Sequence, residues 1–128
     1  MQFRFIPTVV HGVIDYAAGA LFMASPKLFN FDDGGPAEWV PITVGAGALA
    51  VSLMTDYELG LVKKIPMTGH LAGDIAEGVV LATSPWVFGF SKKVYLPHLV
   101  FGLFAISAGL LTKTTPYTSH NKPLPLFD

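Results

Sequence analysis

The chain has 128 residues, of which 52% are apolar and only 13% charged, about half the charged share usual in a soluble domain. Its formal net charge of -1 provides no basic surface suited to nucleic acid. It contains no cysteine, which excludes thiol–disulfide chemistry, iron–sulfur clusters and thiolate metal sites.

Four apolar stretches, near 8–24, 37–55, 70–88 and 95–112, each approach the length that crosses a hydrocarbon core as a helix. A backbone in lipid must satisfy its own hydrogen bonds, so these read as helices rather than strands. The expectation is one all-α membrane domain, a four-transmembrane-helix bundle. Pro7 suits the first turn of the first helix, and Ser25-Pro26 marks its end, because the residue before proline is pushed out of the helical region. His11, Asp15 and Gly19 lie at i, i+4 and i+8 on one face and interrupt the apolar run, so this stretch reads as structure rather than a cleaved signal. The aromatic segment Lys27–Phe31 and the turn Asp32–Pro36 lead to a second helix opened by Trp39-Val40-Pro41. That helix carries the small-residue pairs Ala46/Ala50 and Ala48/Ser52, and the fourth carries Ala105/Gly109, all suited to close helix packing.

From residue 65 the pattern returns. Ile6-Pro7, His11, Asp15, Ala17, Gly19, Ser25-Pro26, Phe29 and Phe31 recur as Ile65-Pro66, His70, Asp74, Ala76, Gly78, Ser84-Pro85, Phe88 and Phe90, a constant offset of 59. Tyr95-Leu96-Pro97 answers Trp39-Val40-Pro41 at an offset of 56. Repeat one thus covers about 6–56 and repeat two about 65–113, followed by an extended, proline-containing tail over 114–128. Two helices per repeat insert both units in the same orientation, which sets a pseudo-two-fold axis along the membrane normal. Arg4, Lys63, Lys64, Lys113 and Lys122 against Lys27, Lys92 and Lys93 favour cytoplasmic termini in a plasma (inner) membrane. Trp39, Trp86 and Tyr95 read as interface anchors.

Ser84-Pro85-Trp86, closing the first helix of a two-helix unit, resembles the SPW-repeat family of small membrane proteins. Both units fit that layout, although Lys27 stands where the first would carry its tryptophan. The resemblance implies the architecture and no particular activity.

The polar residues inside the helices allow three readings. Packing the first helix on the third, with Gly19 and Gly78 at the contact, sets His11 opposite His70 and Asp15 opposite Asp74 near mid-depth. His11, Asp15, His70, Asp74 and Glu77 then form either a structural clamp or a proton-accepting cluster, since neighbouring carboxylates in a low dielectric cannot both ionise cheaply. In the third reading His11 and His70 ligate haem, or the His₂Asp₂ set a divalent metal, although no cofactor is required. His98 reads as an interfacial histidine. Ser52 and Ser107 lack a histidine base at readable spacing, and no glycine loop suits phosphate, so no enzyme is expected. The expected role is a scaffold or accessory subunit, packing in the lipid bilayer with other membrane proteins or with itself. The alternatives are a proton- or ion-linked transport element and a haem- or metal-binding bundle.

Overall fold

The computed structural model describes residues 3–116. Most of the expected tail, from residue 117 and including Lys122, lies outside the described residues. Four helices follow one another: α1 (Thr8–Leu28), α2 (Pro36–Leu53), α3 (Met67–Val87) and α4 (Leu96–Leu111). No strand occurs among the described residues.

The Ser-Pro pairs do not end their helices, as the sequence suggested. Pro26 and Pro85 lie inside the last turns of α1 and α3. A proline in that place has no amide for the carbonyl four residues back. The preceding serine takes over: Ser25 Oγ donates to Phe22 O and Ser84 Oγ to Leu81 O, each at 2.7 Å. Four residues after each proline the chain does turn, through Asn30 (φ 59°) and Gly89 (φ 77°), which are repeat equivalents in the left-handed region. The turn carries Phe31 and Phe90 back into the core while Phe29 and Phe88 stay exposed. The aromatic segments are therefore half core and half surface.

Helix pairing also differs from expectation. The closest packing is α1 on α2 and α3 on α4, with α2 and α3 joining the pairs. Gly19 and Gly78 serve these contacts within each unit and not an α1–α3 contact. A Cβ on Gly45 would stand 2.6 Å from Gly19 O, and one on Gly102 would stand 2.5 Å from Gly78 O. Connections as short as 29–35 and 88–95 force consecutive helices to lie antiparallel as neighbours.

At the other end, short parallel bridges tie Ile6 to Thr112 and Thr55 to Ile65. The start of each unit is thereby fastened: α1 to the end of α4, and α3 to the end of α2. The interior between these ends is thin, with a central cluster of Phe22, Val40 and Leu81. Large apolar side chains such as Val13, Val80, Val100 and Leu103 face outward instead. α1 and α2 are long and apolar enough to cross a membrane; α4 is apolar but has 16 residues.

Candidate functional site

His11 and His70 are each the fourth residue of a 21-residue helix, and Asp15 and Asp74 each the eighth. The four side chains meet near the end of the bundle that carries the bridges, not at mid-depth. The two imidazoles stand edge to face, with ring centroids 5.3 Å apart.

The pairing is crosswise. His11 Nε2 lies 2.8 Å from Asp74 Oδ2 and 3.0 Å from Asp15 Oδ1. His70 Nε2 lies 3.1 Å from Asp15 Oδ2 and 3.3 Å from Asp74 Oδ2, yet is aligned with neither as a hydrogen bond. Each aspartate thus reaches the histidine of its own helix and that of the other. Both histidines are fully buried, and Asp15 is 8% exposed.

The other ring nitrogens are held by threonines at the ends of α4 and α2. His11 Nδ1 is 2.6 Å from Thr112 Oγ1, and His70 Nδ1 is 2.7 Å from Thr55 Oγ1. Each threonine hydroxyl has one proton and directs it to a carbonyl four residues back, Thr112 to Ala108 O and Thr55 to Val51 O, both at 2.6 Å. The threonine oxygen can then only accept, so Nδ1 of each histidine carries a proton. This fixes the chemistry of the inner face: each Nε2 presents the carboxylates with either a second N–H or a lone pair.

Tyr57, fully buried in the α2–α3 connection, donates its hydroxyl to Asp15 Oδ2 at 2.8 Å. Burial, and then the charge of Asp15, push this hydroxyl above its ordinary range, so it remains a donor at neutral pH. Nearby, Thr8 donates to the Glu58 carboxylate.

Glu77 stands apart from this network. It is half-buried and lines a cavity of about 30 Å³ with Asp15, Asp74, Ala48 and Ala108. That volume is enough to admit water. Trp39, Trp86 and Tyr95 lie exposed toward the opposite end, with Trp39 edge-on to Phe88 and Trp86 near Tyr95.

His98 lies at that opposite end and is fully buried within the protein. Its ring lies between Phe31 and Phe90, with centroids 4.9 and 4.8 Å away. Nε2 donates to Ala37 O at 2.8 Å, the carbonyl that Pro41 leaves without an amide. Here a histidine does for Pro41 what a serine does for Pro26 and Pro85.

The sequence pattern identifies the histidines and aspartates but misses Thr55, Thr112 and Tyr57. A signal for the threonines is present, since Thr55/Thr112, Gly45/Gly102, Ala48/Ala105 and Leu53/Leu110 share an offset of 57. Tyr57 falls in the connection between units and has no repeat signal.

His11, Asp15, His70 and Asp74 each offer one donor atom, all within 4.8 Å of one another, and are the residues that could hold a metal. Fold and site together define a small four-helix protein with a buried His/Asp cluster near one end. The chain belongs to the SPW repeat domain family, whose match covers residues 9–112. No curated protein and no solved structure matches it.

Proposed function

We propose that this protein is a non-enzymatic scaffold or accessory subunit of the membrane, packing against other membrane proteins or copies of itself. The family suggests a small membrane protein, and the exposed apolar side chains suit lipid or a partner helix better than water. The observation that carries the role is the crosswise pairing of the polar cluster. Threonines and Tyr57 hold its outer atoms, both histidines are buried, and the adjoining pocket is small, about 30 Å³. A buried, crosswise-paired cluster fixes the register of two helical units, the best-attested use of buried polar groups. A proton- or ion-linked transporter would instead need a continuous wet route to Asp15 or Asp74.

In this proposal all four helices span the plasma (inner) membrane, with the pseudo-two-fold axis along its normal. Arg4, Lys63, Lys64 and Lys113 flank the cytoplasmic end, while Lys27, Lys92 and Lys93 flank the other. Trp39, Trp86 and Tyr95 would anchor that outer interface. Isolation from native membranes in mild detergent tests the role. Stoichiometric co-purification of a membrane protein, or a stable homo-oligomer, is expected; a lone monomer that conducts protons when reconstituted would overturn it.

A further inference from the structure

The geometry points to a divalent transition-metal site formed by His11, Asp15, His70 and Asp74, an inference independent of the scaffold role. Three observations converge. The first is Nε2 of His70: the residue is 1% exposed, and its nitrogen lies 3.1 and 3.3 Å from the Asp15 and Asp74 carboxylates without a hydrogen bond to either. Ion pairing leaves that nitrogen without an aligned hydrogen bond, whereas a metal ligand presents its lone pair to an ion held beside the carboxylates.

The second is the fixing of Nδ1–H on both rings by Thr55 and Thr112. Histidines that ligate through Nε2 almost always donate the other N–H to an outer partner, which sets the tautomer and ring orientation. Here both partners are threonines whose own protons are committed to Val51 O and Ala108 O. Tyr57 does the same for Asp15, holding one carboxylate oxygen and leaving the other to the ion.

The third is spacing and charge. With one donor atom from each residue, all four lie within 4.8 Å of one another, and His11 Nε2 is 2.8 Å from Asp74 Oδ2 and 3.0 Å from Asp15 Oδ1. Ligands about 2.0–2.1 Å from a tetrahedral ion lie about 3.3 Å from one another, so the widest pairs must draw in, by up to about 1.5 Å, to admit it. Two carboxylates and two neutral imidazoles balance a divalent charge, any proton on Nε2 being released as the ion binds. Mixed nitrogen and oxygen donors select zinc and its first-row neighbours over calcium or magnesium, which take oxygen. Haem fits less well, because the carboxylates fill the space between rings only 5.3 Å apart.

The test uses tag-free, full-length protein in detergent, dialysed against zinc or cobalt and analysed for retained metal. One ion per chain is expected, with the visible bands of four-coordinate cobalt. Asp74→Asn should abolish stoichiometric retention. The Thr55→Val/Thr112→Val variant, which keeps all four ligands, should bind about 10- to 100-fold more weakly. Glu77→Gln, outside the ligand set, should bind as the unaltered chain does. Failure of the unaltered protein to retain either ion overturns the inference, as does equal retention by the threonine double variant. The unaltered protein and the threonine variant decide the matter even if Asp74→Asn does not fold.

Discussion

A proline near the end of a helix leaves one carbonyl without its amide, and when buried that carbonyl needs another donor. Ser25 and Ser84 supply it from the adjacent position, which explains why serine precedes proline in both units. Ser25→Ala should therefore lower unfolding stability in detergent by about 1–3 kcal/mol. Adding Pro26→Ala should restore most of it, because an alanine amide reaches Phe22 O again; a cycle of the two single variants and the double variant measures this. Tyr57→Phe removes the hydroxyl from buried Asp15 and should cost a similar amount, about 1–3 kcal/mol, read as a lower thermal midpoint. Periodicity alone makes the histidines and aspartates legible, since ionisable residues repeated on one face of an apolar helix must meet partners inside the bundle. The threonines are not legible in that way: a threonine at a helix end is common, and its role here depends on a ring from the other unit.

Helices α1 and α2, and α3 and α4, approach closely enough for backbones to touch at glycine. Gly102→Ala places a methyl group 2.4 Å from Ala82 N and should destabilise by about 1–3 kcal/mol. Gly73→Ala, on the same helix pair but with nothing within 4 Å of the new Cβ, should be neutral or stabilising by about 0.5–1 kcal/mol. Thermal unfolding of the two variants side by side separates packing from helix propensity. The sequence shows that small residues mediate packing but not which helices meet. Gly19 and Gly78 share a face with the polar residues, so an α1–α3 contact looks simplest. Connections as short as 29–35 and 88–95 override that pattern by pairing α1 with α2 and α3 with α4, and the His and Asp side chains bridge the remaining gap.

At the scale of the molecule, four helices in two like units can be read directly from apolar lengths and the 59-residue offset. Depth cannot. An offset relates equivalent positions without saying how far along the bundle they meet, and the cluster lies within the first eight residues of α1 and α3. The two ends are thus chemically distinct. One holds the His/Asp lock, Tyr57 and the bridges; the other holds His98 between Phe31 and Phe90. The proposed role puts those ends on opposite sides of a membrane, and a chain without cysteine allows a direct measurement. Leu61→Cys sits in the α2–α3 connection and Lys92→Cys in the α3–α4 connection, both exposed. Intact cells treated with a membrane-impermeant maleimide should label Lys92→Cys at once and Leu61→Cys only after the membrane is opened. Equal labelling of both sites from the outside, or protection of both until opening, would contradict the account.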